Sequence, residues 1–199
     1  AYASMWMVYA VRRCSNTFVS VAYALTSLLI LAPMLWETTV RFEYLSPAAT
    51  GTILAAFFAF TLAVAWKQRL EAVPWLTVAA TAGVALALFV ATRDVVSLTA
   101  SILAMAAIIE AAACYGHALS SRMVPALAAN LSVWLVVSLL TSEPFPEGYP
   151  HVTPVVMETL WFALPGIYAV SIAIRGFCLR REISLVDTIQ GTLAFAVAA

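Results

Sequence analysis

Seven polar breaks divide the chain into eight apolar stretches. The complete stretches run for 18–23 residues without the alternation of a β-strand, which is the pattern of membrane-crossing helices and not of an outer-membrane barrel. The pattern predicts an all-α, polytopic transmembrane helix bundle of about eight spans. The first span is 1–11 and the second Asn16–Trp36. The third is Pro47–Trp66 and the fourth Pro74–Thr92. The fifth is Ser97–Leu119 and the sixth Val124–Thr141. The seventh runs from Thr153-Pro154 to Ile174, and the eighth starts near Ser184. A span needs about 20 residues. The first and last stretches fall short of that, so residues 1–199 are expected to be a single transmembrane domain cut from a longer chain. Ser46-Pro47 and Thr153-Pro154 are helix starts, because Ser or Thr caps free amides and proline at the first helical position has none to satisfy.

The basic residues alternate between successive breaks. Arg12, Arg13, Lys67, Arg69, Arg122, Arg175, Arg180 and Arg181 occupy the odd-numbered loops; only Arg41 and Arg93 occupy the even-numbered ones. By the positive-inside rule this places loops 12–16, 67–73, 120–123 and 175–183 in the cytoplasm and loops 37–46, 93–96 and 142–153 outside. The expected location is a bacterial inner (plasma) membrane. Trp36, Phe42 and Tyr44 on one side, with Trp66 and Trp75 on the other, fit the aromatic belts of such a protein.

Composition agrees. The chain is 64% hydrophobic and 10% charged, with a mean hydropathy of +0.97, whereas soluble domains carry about 25% charged residues. The formal net charge is zero, so no basic field points to nucleic acid. Cys14, Cys114 and Cys178 all map to the cytoplasmic half, where thiols stay reduced, and none has the spacing of a zinc site. The expected partners are the lipid bilayer and other membrane subunits. Ala79, Gly83 and Ala87, and likewise Ala100, Ala104, Ala107 and Ala111, are small residues at helical spacing and are read as helix-contact faces.

Glu110 is the sharpest candidate for chemistry. It falls near the middle of the fifth span, where a charge costs about 2.5–3.5 kcal/mol or more. Helical spacing places Cys114 and His117 on its face, and the returning sixth span brings Asn130 to a similar depth. Glu110 therefore reads either as an intramembrane proton or cation site or as a buried acid bonded to Asn130. His117 is a candidate cofactor ligand for a haem or pigment, against an ordinary interfacial histidine. One metal cannot take Glu110, Cys114 and His117 together, because Glu110 and His117 are about 10.5 Å apart along the helix. Pro165-Gly166 is a candidate kink, since Pro165 leaves the carbonyl of Trp161 without its amide. Asp187 reads as a carboxylate at a helix N-terminus.

Phe42-Glu43-Tyr44-Leu45-Ser46-Pro47-Ala48-Ala49, followed by an Ala/Phe-rich span and a short basic turn before Val73-Pro74, resembles the many-spanning, functionally uncharacterised "predicted membrane protein" families of bacteria. The resemblance covers residues 17–120. It implies repeated short Ala/Leu-rich spans and carries no role for any residue; the Gly-Gly-Phe signature of that group is missing.

No HExxH, GxSxG, P-loop or GxGxxG is present, so no enzyme is expected. The leading expectation is a non-enzymatic scaffold or accessory subunit of a larger membrane complex. The alternatives are a transporter or channel segment working through Glu110, and a pigment- or haem-contacting subunit of an energy-transducing complex working through His117.

Overall fold

The structure is a computed structural model, and it describes residues 5, 8, 17–68, 72–115, 122–142, 149, 152–179 and 185–197. The expected first span, most of the loop 142–153 and parts of the expected inner loops lie outside the described residues. Among the described residues seven α-helices follow one another: α1 (Thr17–Trp36), α2 (Pro47–Gln68), α3 (Ala72–Thr92), α4 (Val95–Cys114), α5 (Met123–Thr141), α6 (Pro154–Ala173) and α7 (Leu185–Val197). No strand occurs among the described residues.

Eight spans are not supported. By length and composition four segments among the described residues could cross a membrane: Ala22–Arg41, Trp75–Thr92, Val95–Cys114 and Pro154–Phe177. Pro47–Ala63 and Met123–Leu139 are shorter apolar stretches, and α7 has 13 residues. The sequence pattern counts polar breaks, but a crossing also needs an uninterrupted apolar length. Two expected loops are also partly helical. Glu37–Arg41 and Ile174–Cys178 extend α1 and α6 as single wide π turns, closed by Phe42 N–H to Glu37 O at 2.8 Å and Leu179 N–H to Ile174 O at 3.0 Å.

Each helix packs through one stripe. On α2 the stripe is Leu54, Phe58, Leu62 and Ala65; on α4 it includes Leu98, Ile102, Met105 and Ile109. These spacings of three and four return side chains to one face. α4 is the most enclosed of the four candidate spans and touches α2, α3, α5 and α6. Its start is fixed locally. Arg93 takes a positive φ of 57°, turning the chain sharply between α3 and α4, and the Asp94 carboxylate accepts the Ser97 amide at 3.1 Å. Ser46 caps α2 in the same way, its hydroxyl accepting the Ala49 amide at 3.2 Å. α6 runs unbroken through Pro165.

The small-residue stripes do not pack inside the bundle. Ala79, Gly83 and Ala87 are exposed on α3, as are Ala100, Ala104 and Ala111 on α4, with Ala107 half-buried. The closest helix approach uses a different residue. A Cβ built on Gly51 of α2 would lie 3.0 Å from Ser101 Cβ on α4, whereas one on Gly83 would meet nothing within 4 Å. Gly51→Ala is therefore expected to push α2 from α4 and lower stability by about 1–3 kcal/mol. Gly83→Ala should be neutral, or stabilising by up to about 1 kcal/mol through helix propensity. Thermal unfolding of both variants in detergent checks the contrast.

Candidate functional site

α4 ends at Cys114, not at Leu119, and this changes the position of Glu110. The residue lies four positions before the helix end, about 6 Å along the axis, rather than at mid-span. The loop before α5, the end of α6 and the start of α7 converge there. Glu110 is 2% exposed and meets arginines that the sequence pattern assigned to cytoplasmic loops.

Arg122, just before α5, grips Glu110 with two donors. Nε donates to Oε1 at 3.1 Å, and Nη2 donates to Oε1 at 2.9 Å and to Oε2 at 2.8 Å. The same Nη2 reaches Asp187 Oδ1 on α7 at 2.7 Å. Arg175, in the π turn after α6, contacts Glu110 Oε2 through Nη2 at 3.3 Å and Asp187 Oδ1 through Nη1 at 2.7 Å. Ser171 Oγ donates to Glu110 Oε2 at 2.6 Å. Gln190 Oε1 sits 3.4 Å from Arg122 Nη2. All six side chains belong to buried residues.

Helical spacing delivers these groups. Leu160, Leu164, Tyr168, Ser171 and Arg175 form one buried stripe along α6 and its π turn, apolar at one end and charged at the other. Asp187, Gln190 and Ala194 form the matching stripe on α7. The two guanidiniums and two carboxylates balance. Arginine does not release its proton inside proteins, so each buried guanidinium requires an anion. Burial pulls against the charge of Arg122, but the attraction and hydrogen bonds of Glu110 and Asp187 outweigh it and hold its pKa above the ordinary value. The result is an ionic clamp across α4, α5, α6 and α7.

The expected partner of Glu110 is corrected. Asn130 lies seven residues beyond Met123, about 10.5 Å into α5, and so is deeper in the bundle than Glu110. Its Nδ2 donates to the carbonyl of Ala126 in its own helix at 2.8 Å, and its Oδ1 has no partner among the described residues. Cys114 stays near Glu110, its Sγ 3.9 Å from Ser171 Oγ. His117 lies outside the described residues, as do Cys14, Arg180 and Arg181. Pro165 is buried and Gly166 exposed, six and five residues before Ser171. Asp187, read from sequence as a helix-terminal charge, is a member of the clamp, and Ser171 and Gln190 carry no sequence signal at all.

Beside the clamp, α4 and α6 diverge around a cleft of about 460 Å³. Ala107 and Ala111 form one wall and Ala163, Gly166 and Val170 the other, with Glu110 and Ser171 at its polar end. Tyr168, one turn before Ser171, is 2% exposed, and its hydroxyl has no hydrogen-bond partner among the described residues.

No family model, no curated protein and no solved structure matches the chain.

Glu110→Gln leaves two buried guanidiniums sharing one carboxylate and is expected to destabilise the fold by about 3–5 kcal/mol. Asn130→Ala removes one intrahelical bond and should cost about 1 kcal/mol. Unfolding of the two variants side by side tests which residue holds the helices together. Tyr168→Phe removes an unpaired buried hydroxyl, so stability should be unchanged or rise by about 1 kcal/mol; a clear loss in the same assay would mean that the hydroxyl has a partner.

Proposed function

We propose that the protein is a multi-pass membrane protein of a bacterial inner membrane that serves as a non-enzymatic scaffold or accessory subunit. The observation that carries this reading is the saturation of Glu110. A carboxylate that exchanges protons or cations needs a free oxygen and a route to water. Both oxygens of Glu110 are occupied by Arg122, Arg175 and Ser171, and the residue is buried. Such a group supports a fixed arrangement of helices more than a carrier cycle. The outward-facing small residues Ala79, Gly83 and Ala87 give the same reading its second support, because they leave a smooth helix face for neighbouring subunits.

The proposed orientation requires that the shorter stretches Pro47–Ala63 and Met123–Leu139 cross as well, and the clamp changes which charges support it. Arg122 and Arg175 are neutralised within the bundle and lose weight as topology charges. Arg12, Arg13, Lys67, Arg69, Arg180 and Arg181 remain, against Arg41 and Arg93 on the opposite side. The clamp end is therefore assigned to the cytoplasm. The haem or pigment reading depends on His117 and gains no support from the described residues.

Two measurements test the proposal. A cysteine introduced by Arg181→Cys, in a background lacking the native cysteines, should be labelled by an impermeant maleimide only after the cells are permeabilised. Labelling in intact cells would reverse the topology. Reconstituted into vesicles with an entrapped pH dye, the protein should pass protons no faster than protein-free vesicles. A flux that disappears in Glu110→Gln would replace the scaffold by the transporter reading.

A further inference from the structure

The cleft between α4 and α6 has the attributes of a ligand site within the bilayer. Its volume of about 460 Å³ lies in the range of about 300–1,000 Å³ typical of small-molecule sites, which are apolar with a few convergent polar groups. Its walls are apolar, and its rim is the lateral surface of the bundle, where Ala111, Gly166 and Val170 are exposed. An occupant would enter sideways, from the hydrocarbon.

The polar end decides what kind of occupant fits. The carboxylate of Glu110 accepts from Arg122, Arg175 and Ser171 and has no oxygen to spare. The two guanidiniums beside it are engaged by Glu110 and Asp187. A charged headgroup, of either sign, would find no uncompensated counter-charge and would lose its own hydration. Ser171 differs: its hydroxyl proton goes to Glu110 at 2.6 Å and the Cys114 thiol, 3.9 Å away, donates to one lone pair of its oxygen, which leaves the second lone pair to accept. The group that complements it is a neutral donor. From Ser171 and Cys114 the cleft extends along α4 to Ala107, about 10.5 Å for seven helical residues, enough for a headgroup and the first part of a chain.

We propose that this cleft binds an uncharged, hydroxyl-bearing amphiphile taken up from the membrane, its hydroxyl donating to Ser171 Oγ and its chain lying against Ala107, Ala111, Ala163 and Gly166. The site rests on the membrane reading given above but not on the scaffold role. It adds a ligand to a face of the bundle that the ionic clamp leaves open.

Gly166 makes the test clean. A Cβ there would meet nothing within 4 Å, so Gly166→Leu fills the cleft without striking the backbone. The full chain is placed in phosphatidylcholine nanodiscs with a diazirine-bearing long-chain alcohol, and in parallel with the carboxylic acid, amine and alkane of equal length. The alcohol should label peptides of α4 and α6 about tenfold more than the acid or amine, the ratio that corresponds to about 1.4 kcal/mol. Gly166→Leu should remove that labelling at unchanged melting temperature. Ser171→Ala should reduce the alcohol to the level of the alkane. Should Gly166→Leu fold poorly, Ala111→Leu on the exposed opposite wall blocks the same cleft. Equal labelling by all four probes, or labelling that persists in both blocked variants, overturns the site. Cross-linking of the cleft to a second copy of the chain also overturns it, by assigning this face to protein contact. Membrane fractionation separates the two levels: a protein that washes from membranes at alkaline pH defeats the membrane reading and this site with it, whereas an integral protein that takes no label defeats the site alone.

Discussion

Two guanidiniums that cannot shed their protons set the terms for one end of this bundle. Arg122 and Arg175 are both buried, and arginine has no neutral form to retreat to. Each must therefore be matched by an anion at close range, and the chain supplies Glu110 from α4 and Asp187 from α7. Removing any one member strands a charge in an apolar surround, a penalty larger than the pair's own net contribution. The arrangement specifies geometry more than it adds stability. The ends of α4 and α6 and the starts of α5 and α7 must meet within hydrogen-bonding distance, and the π turn Ile174–Cys178 is where the α6 ladder widens as Arg175 joins them.

The other end of the bundle is held differently. Two of its connections are short and end in local caps, with Asp94 at the start of α4 and Ser46 at the start of α2. The guanidinium of Arg93 lies 5.8 Å from the ring of Tyr149 and that of Arg41 lies 5.7 Å from the ring of Phe42. Arg41 and Phe42 are neighbours in sequence, whereas Arg93 and Tyr149 are 56 positions apart. The clamp needs residues 65 positions apart, such as Arg122 and Asp187. Helix caps and single cation–ring contacts serve one end and a four-charge balance serves the other, while the stripes of α2, α4 and α6 fill the space between with Phe58, Ile102, Met105 and Leu164.

This division explains what the sequence disclosed. Helix starts at Ser46-Pro47 and Thr153-Pro154, the turn at Arg93-Asp94 and the all-helical class are consequences of local pattern, and they are visible in it. The number of spans was not, because the apolar part of a helix can be shorter than the run between its polar borders: α2 has 22 residues, yet its apolar stretch is Pro47–Ala63. Glu110 stands out as a costly acid, but α4 ends at Cys114, five residues before Leu119, so the acid lies nearer the helix end than the apolar run implies. Only the longer run would bring Asn130 level with it. Arg122 and Arg175 fall in polar breaks, where nothing in the apolar pattern marks them as buried. The available signal was their matching with Glu110 and Asp187: two acids and two bases, each close to the same end of successive helices.

The small-residue stripes carry the complementary lesson. Ala100, Ala104, Ala107 and Ala111 have the spacing that lets helices approach, yet the close approach belongs to Gly51 and Ser101, and of the alanines Ala107 is half-buried and the other three exposed. Spacing identifies a face; it does not say whether the neighbour is within the chain. The core side of α4 carries Leu98, Ile102, Met105 and Ile109, large enough to fill the interior, so the smaller side is the one left for whatever surrounds the bundle. Lipid tails are as apolar as leucine, which removes any hydrophobic penalty for that choice. Other alanines, Ala82, Ala85, Ala106 and Ala129 among them, are buried. Four charges are also turned inward, where their mutual neutralisation is the condition that lets them stay.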